Sequence, residues 1–141
     1  MSDLALVTGA TGLLGSYLVE RLLDGGWDVR ALVRDPEQAR WLEETGATLF
    51  TGDITDSSSV MSAASGCSLV FHAAASVGVG TDWESFRLGN VEGTENVLQA
   101  SAASGARLVF VSTTGVFGQA RYREVPTDES VPLPKLPEHE V

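Results

Sequence analysis

The feature that most constrains the fold is a glycine-rich turn between an apolar strand and a helix. Residues 4–7 have the pattern of a short buried strand, and residues 16–23 continue with apolar side chains at helical spacing. The turn between them reads TGATGLLG. Its three glycines lack Cβ atoms, so a phosphate group can reach the backbone N–H groups and the positive end of the helix dipole. In this strand–turn–helix context we predict a dinucleotide pyrophosphate site made by Gly9, Thr11, Gly12, Leu13, Leu14 and Gly15.

Composition narrows the class of protein. A chain of 141 residues with 43% hydrophobic residues fits one soluble globular domain. The net charge of −10 argues against binding nucleic acid or an anionic membrane surface. A single cysteine, Cys67, excludes an internal disulfide and favours a reducing compartment. No signal segment and no long apolar run is found, so we expect a cytoplasmic protein that neither binds nor spans a membrane.

Strand and helix patterns alternate along the chain with short connections. Strands are predicted at 4–8, 27–33, 47–51, 69–73 and 107–112, and helices at 12–23, 35–46, 56–66 and 83–104. Strands that are apolar throughout and separated by helices indicate an α/β fold with a parallel sheet covered on both faces. Right-handed crossovers then predict a Rossmann-like, doubly wound sheet of order 3-2-1-4-5, with ligands at the carboxyl ends of the strands.

Two further expectations concern the second half of the chain. In the long helix, Phe86, Val91, Val97 and Leu98 are expected to share one buried stripe. Residues 1–118 are predicted to form the dinucleotide-binding domain. Residues 119–141 hold four of the five prolines and many acidic residues, and we interpret them as a loop or tail that begins a second half.

The end of the second predicted strand indicates which dinucleotide is preferred. An acidic residue there would bind the ribose hydroxyls of NAD, whereas an arginine suits the 2′-phosphate of NADP. Val33 occupies the expected acidic position and Arg34 follows it, so we predict NADP, with NAD less favoured. Asp35 could face the ribose, but its place before Pro36 fits a helix cap better. Arg40 is either a second phosphate ligand or a solvated helix residue.

The ends of the next two strands carry further candidates. Asp53 could accept the adenine amino group while Ile54 packs on the ring, or Asp53 could cap a turn. The small side chains of Ala73, Ala74 and Ala75 would let their backbone approach the cofactor closely. His72 and Cys67 lie in apolar surroundings, so we interpret both as packed core residues rather than catalytic groups.

Several segments together carry a family resemblance. They are residues 8–15, 29–36 (VRALVRDP), 52–56 (GDITD), 72–75 (HAAA), 90–98 (NVEGTENVL) and 111–118 (VSTTGVFG). This series resembles the extended short-chain dehydrogenase/reductase superfamily, the group of nucleotide-sugar epimerases, dehydratases and dihydroflavonol-type reductases. The sequence of the second strand is most similar to the NADP-using reductase branch of this superfamily. The resemblance implies hydride transfer to or from a small-molecule carbonyl or a nucleotide sugar, and pairing of subunits through helices as a homodimer.

The resemblance also implies roles for three residues. Thr113 takes the place of the catalytic hydroxyl residue, which hydrogen-bonds the substrate oxygen, although it could simply end a strand. Its neighbour Ser112 and the helical Asn90 are expected to lie at the cofactor, and a helix-packing role for Asn90 is the alternative. No metal site is expected.

The sequence departs from this superfamily in its catalytic pair. The superfamily uses a tyrosine and a lysine four residues later, but Tyr122 is followed at that spacing by Pro126, and Lys135 is the only lysine. We therefore interpret the chain as the cofactor-binding part of a longer enzyme. A non-catalytic NADP(H)-binding or redox-sensing module is the alternative, and a degenerate segment without a stable fold is a third reading.

Overall fold

The computed structural model describes residues 3–78, 82–117, 128–130 and 132. The chain divides into two compact units, Met1–Phe110 and Val111–Val141. The predicted domain boundary at Gly118 lies outside the described residues and stays a prediction.

The first unit alternates strands and helices as the sequence pattern predicts. Its strands are β1 (Leu4–Thr8), β2 (Asp28–Val33), β3 (Thr48–Thr51), β4 (Leu69–His72) and β5 (Arg107–Phe110). Its helices are α1 (Leu13–Asp24), α2 (Arg40–Glu44), α3 (Ser57–Ala64), α4 (Trp83–Arg87) and α5 (Gly93–Ser104), and a π-helical segment, Leu88–Glu92, joins α4 to α5.

The described strands form one parallel sheet in the order β3-β2-β1-β4-β5. In the central strand β1, Val7 lies opposite Ala31 of β2 and Phe71 of β4. The predicted doubly wound α/β fold and its strand order are therefore confirmed. Because all strands run the same way, their carboxyl ends meet at one edge of the sheet.

Both faces of the sheet are covered, since side chains alternate along each strand. Leu6 of β1 packs with Val60 of α3 and Val97 of α5 on one face. Its neighbour Val7 packs with Val19 of α1 and Leu42 of α2 on the other face. All six side chains are fully buried. Burial of this kind contributes roughly 1.5–3 kcal/mol per large aliphatic side chain.

The second helix is shorter than predicted. Asp35 Oδ1 accepts hydrogen bonds from the backbone N–H groups of Glu37 and Gln38, at 3.0 and 3.4 Å. Residues 36–39 form a turn, and α2 begins only at Arg40. The cap that the sequence predicts at Asp35 is thus present, but it begins a turn rather than a helix.

The long helix predicted at 83–104 is interrupted by the π-helical segment. Of the four side chains expected to share a buried stripe, Val97 is fully buried and Phe86 half-buried, whereas Val91 is 48% and Leu98 55% exposed. That expectation was wrong for two reasons. A π turn contains an extra residue, so the helical period before it does not continue in phase behind it, and Leu98 directly follows Val97 in α5, about 100° further around the helix. The ends of β4 and β5 also fall one and two residues short of prediction.

The second unit is described only in part. A short 3₁₀ helix, Thr114–Phe117, follows Thr113. Further along, Asp128 Oδ1 accepts hydrogen bonds from the backbone N–H and the hydroxyl of Ser130, at 2.9 and 2.5 Å.

Candidate functional site

A groove of about 550 Å³ lies in the first unit, at the carboxyl ends of β1 to β4. A groove of this size is typical of small-molecule sites. Four loops and one helical stretch line it: Gly9, Thr11 and Gly12; Leu32, Val33 and Arg34; Asp53, Ile54 and Thr55; Ala73, Ala74, Ala75, Ser76 and Val77; Ser85, Leu88 and Gly89. Nine of the residues predicted from the sequence are among them.

Gly9 is the tightest point of the turn. Its φ is +70°, and a Cβ added there would lie 2.6 Å from the backbone nitrogen of Ala74 and 2.8 Å from the carbonyl oxygen of Ala73. Glycine is therefore required twice at this position, for its backbone conformation and for the close approach of the chain after β4.

The beginning of α1 is open to a ligand. Gly12 is the N-cap residue in an extended conformation, and no side chain caps the helix. Gly15 allows the helix to lie against the turn, since a Cβ there would be 2.0 Å from the carbonyl oxygen of Gly9. Leu13 and Leu14 are 81% and 49% exposed. Leu13, Leu14 and Gly15 are absent from the groove lining. Their backbone N–H groups belong to the first turn of α1, where no carbonyl of the same helix can pair with them.

The two arginines near the end of β2 have different surroundings. Arg34 is exposed and lines the groove. Arg40 lies outside the groove lining, and its Nη2 is 2.7 Å from Glu37 Oε2 in an exposed ion pair. The carboxylate of Asp35 accepts bonds from the turn behind it, including one of 2.8 Å from Gln38 Nε2. Of the charged residues in this stretch, Arg34 is thus the one that lines the groove.

Asp53 both caps a turn and borders the groove. Its Oδ1 accepts hydrogen bonds from the backbone N–H and the hydroxyl of Thr55, each 2.9 Å long. Its backbone is held by Ser59, whose hydroxyl donates to the Asp53 carbonyl at 2.9 Å. Among the described residues Oδ2 accepts no hydrogen bond, so the two readings of Asp53 are compatible. Ile54 packs on Gly93, where a Cβ would be 2.8 Å from Ile54 Cδ1.

Asn90 fastens the segment that follows β4. Its Oδ1 accepts a bond of 2.7 Å from the Ser76 N–H, and its Nδ2 donates one of 3.0 Å to the Ser76 carbonyl. Gly89 lies directly under Ser76, because a Cβ there would be 2.2 Å from Ser76 Oγ. Asn90 is absent from the groove lining, and its predicted place at the cofactor stays a prediction.

His72 and Cys67 are core residues, as predicted. His72 is fully buried with both ring nitrogens hydrogen-bonded, and burial lowers the pKa of its imidazole. Cys67 is 2% exposed. Burial raises the pKa of its thiol, while the charge of Arg30 opposes that shift.

Ser112 and Thr113 belong to the second unit and are both exposed. Thr113 Oγ1 accepts a hydrogen bond of 3.2 Å from the backbone N–H of Gly115, and its carbonyl accepts one of 3.2 Å from Val116. Among the described residues, none accepts a hydrogen bond from the Thr113 hydroxyl. The catalytic and cofactor roles predicted for these two residues stay predictions.

Several groove residues could not be assigned from the sequence. They are Thr55, Val77, Ser85, Leu88 and Gly89, all of which line the groove. The π-helical segment brings Leu88 and Gly89 to it. The sequence signal is the pair of glycines at Gly89 and Gly93 inside a helical pattern, which indicates close packing of neighbouring chain.

Two other kinds of site concern the part of the chain that the structure describes. None of the helices in this part of the chain is long and apolar enough to cross a membrane. Within the same residues, no group of three or more His, Cys, Asp or Glu side chains could hold a metal ion.

Comparison with known proteins gives consistent matches. The model of the NAD dependent epimerase/dehydratase family matches residues 5–140. The chain is 39% identical to a 4-hydroxy-2-methyl-3-oxo-4-farnesyl-3,4-dihydroquinoline-1-oxide ketoreductase of Stigmatella aurantiaca, over 93% of this chain and 39% of the relative. It is 36% identical to a bifunctional dihydroflavonol 4-reductase/flavanone 4-reductase of Pyrus communis, over 92% of this chain and 41% of the relative.

A solved structure is similar in fold as well as in sequence. It is a short-chain dehydrogenase/reductase superfamily protein from Agrobacterium tumefaciens with bound NAD, matched with a TM-score of 0.81 and 31% identity over 96% of this chain and 40% of that one. The chain thus spans about two fifths of the length of the relatives it matches.

Proposed function

Since this chain belongs to the NAD dependent epimerase/dehydratase family, we propose that it is the cofactor-binding part of an NADP(H)-dependent oxidoreductase. The observation that carries the proposal is the groove. The glycine-rich turn, with the uncapped start of α1 at Gly12, lies there together with the exposed Arg34. When bound, the nicotinamide cofactor supplies or accepts the hydride that a carbonyl–alcohol interconversion requires.

The turn fits the pyrophosphate of a dinucleotide. The unpaired N–H groups of Leu13, Leu14 and Gly15 carry the positive end of α1, equivalent to about half an elementary charge. Gly9 and Gly12 leave the backbone uncovered between β1 and the helix. Ala73, Ala74 and Ala75 form the facing wall with side chains small enough to admit the ligand.

Arg34, Asp53 and Ile54 fit the adenosine end. The exposed guanidinium of Arg34 is placed to grip the 2′-phosphate of NADP and to stack on the base. Asp53 Oδ2 is available to accept the adenine amino group while Ile54 supplies an apolar surface. Asp35, occupied with its own turn, offers less to the ribose hydroxyls of NAD. This arrangement favours NADP over NAD.

Arg34→Ala tests the proposal by fluorescence titration with NADPH and NADH. Loss of a charge-assisted contact at an exposed site is expected to weaken NADPH binding about tenfold, or about 1.4 kcal/mol, and to leave NADH nearly unchanged. Arg40→Ala is the matched control, because it removes an arginine that pairs with Glu37 outside the groove. Equal weakening of both nucleotides, or no binding by the unaltered chain, would contradict the proposal.

The substrate is proposed from the relatives' names and the family. The names of the ketoreductase and the dihydroflavonol reductase both indicate a small-molecule carbonyl. The superfamily resemblance of the sequence adds a nucleotide sugar as the alternative substrate. Thr113, whose hydroxyl donates to none of the described residues, would hydrogen-bond the substrate oxygen, and Ser112 would lie at the cofactor. A cytoplasmic homodimer is part of the same proposal.

A non-catalytic NADP(H)-binding module is the second candidate. It is compatible with the given sequence, which contains no tyrosine followed four residues later by lysine. Both candidates predict that this stretch alone binds NADPH but does not oxidise it. Steady consumption of NADPH with a ketone by the purified chain would show that other residues supply the proton.

A further inference from the structure

His72 lies between the groove wall and helix α5, and both of its ring nitrogens are bonded. Nδ1 is 2.7 Å from Thr8 Oγ1, and Nε2 is 3.1 Å from Thr94 Oγ1. The ring also stacks on Phe110 with centroids 5.6 Å apart. The residues in contact with the imidazole are therefore neutral ones, on β1, α5 and β5.

The neighbouring bonds decide where the imidazole proton lies. Thr94 Oγ1 is 2.8 Å from the Asn90 carbonyl, an acceptor, so the single hydroxyl hydrogen of Thr94 is used there. The Thr94 oxygen must then accept from His72, which puts the proton on Nε2. With Nδ1 unprotonated, the Thr8 hydroxyl donates to it. Burial without a nearby carboxylate keeps this ring neutral.

The same bond fixes the direction of the Thr8 hydroxyl. Because its hydrogen is committed to Nδ1, its oxygen presents a lone pair to the Ala74 N–H, which donates to it at 3.3 Å. That Ala74 nitrogen is the atom nearest to the place where a Cβ on Gly9 would stand. Thr8 therefore holds the wall of the groove at its closest approach to the glycine turn.

We propose that His72 is a positioning residue of the nucleotide site. It orients the Thr8 hydroxyl and so sets the distance between the Ala73–Ala75 segment and Gly9. This inference rests on the proposed function, because the wall matters only if the groove binds a dinucleotide. His72 touches no ligand in this scheme and acts through Thr8 alone.

Two substitutions at His72 separate positioning from packing. In His72→Asn an amide oxygen can take the place of Nδ1 and still accept from Thr8. In His72→Gln the amide reaches the place of Nε2 and serves Thr94, leaving Thr8 without its acceptor. Both variants lose the ring and its stacking on Phe110, so a packing role predicts similar losses of affinity for NADP⁺ in both.

Positioning predicts a difference between them. The dissociation constant for NADP⁺ is expected to rise about tenfold in His72→Gln and in Thr8→Val, and to stay within about threefold of the unaltered chain in His72→Asn. Unfolding in urea is measured for each variant, so that affinity is compared only among folded proteins. Equal dissociation constants for the Asn and Gln variants would overturn the inference.

A second measurement needs no nucleotide and so distinguishes the two proposals. In the free chain, nitrogen NMR is expected to show the Nε2–H tautomer of His72, and hydrogen exchange is expected to be slow at the Ala74 amide and faster in Thr8→Val. If these results hold but NADP⁺ does not bind, the proposed function fails while the hydrogen-bonded arrangement stands. The Nδ1–H tautomer, or an Ala74 amide indifferent to Thr8→Val, overturns the positioning role.

Discussion

Gly9 meets two separate structural requirements of the site, one on backbone conformation and one on space. Its φ of +70° lies in the left-handed region, and its missing Cβ gives room to the backbone of Ala73 and Ala74. Gly26 meets only the first demand, since its φ is +81° and nothing lies within 4 Å of a Cβ added there. The chain thus contains its own control for the effect of backbone conformation.

Gly9→Ala is expected to destabilise the fold more than Gly26→Ala. The left-handed backbone alone costs about 1–2 kcal/mol with a Cβ, and this is the whole effect expected at Gly26. At Gly9, crowding against Ala73 and Ala74 adds about 1–3 kcal/mol to the loss of stability, as overpacking does. Urea unfolding of the two variants measures the difference. Equal losses of stability would mean that the wall after β4 moves away at no cost.

The π-helical segment is the element that sequence patterns do not foresee. The apolar spacing of residues 83–104 predicts one continuous helix. It does not show a π turn, because tertiary contacts rather than local propensity decide where an extra residue is accommodated. Those contacts are Gly89 under Ser76 and Gly93 under Ile54. Arg87 spans the same stretch, pairing with Glu84 in α4 and with Glu92 at the end of the segment.

Deleting Val91 tests what the segment does. Removal of the extra residue would turn α4 by about 100° relative to α5, carrying Asn90 away from Ser76. We expect NADP⁺ affinity to fall at least tenfold, because the loop after β4 then loses its attachment. Val91→Ala keeps the length and trims a side chain that is 48% exposed, so its stability should change by less than about 0.5 kcal/mol. Unchanged NADP⁺ binding by the deletion would assign the segment no role at the groove.

At the level of elements, strand order was predictable and helix detail was not. Apolar strands separated by helices permit few arrangements, so the order 3-2-1-4-5 followed from the pattern and is confirmed. The cap at Asp35 was also foreseen, but whether four residues after it form a turn or a helix depends on weak local energies. Among site residues, Gly9 and Arg34 could be chosen from their places at strand ends. Ser85 and Leu88 could not, because the packing of α4 and of the π-helical segment brings them to the groove.

At the scale of the whole molecule, the negative net charge of the chain repels the proposed ligand. The chain carries a net charge of −10, and a dinucleotide is itself an anion. Long-range repulsion is screened beyond about 8–10 Å at physiological ionic strength, so the local positive groups decide binding. These are the start of α1 and Arg34. Binding by such a chain is therefore evidence for the site itself and not for a general attraction to anions.

Nucleotide binding to the whole chain should be visible in its thermal stability. A ligand that binds only the folded state stabilises it by about 2.7 kcal/mol at a concentration of one hundred times its Kd. For a compact unit of this size, NADP⁺ at that concentration should raise Tm by roughly 10 °C in a cooperative transition. Differential scanning calorimetry measures the shift, and a broad transition unaffected by NADP⁺ would support a segment without a stable fold.

Gly12→Asp is the matched variant for that measurement. Gly12 has the extended backbone of an N-cap residue, which any residue can adopt, and its Cβ would lie 3.3 Å from the Gly9 carbonyl oxygen. An aspartate there would cap α1 with its own carboxylate and occupy the position proposed for the pyrophosphate. The NADP⁺-dependent rise in Tm should then vanish while the variant still unfolds cooperatively. If the rise persists in Gly12→Asp, the nucleotide binds elsewhere, because a carboxylate at the helix start cannot share that position with a phosphate.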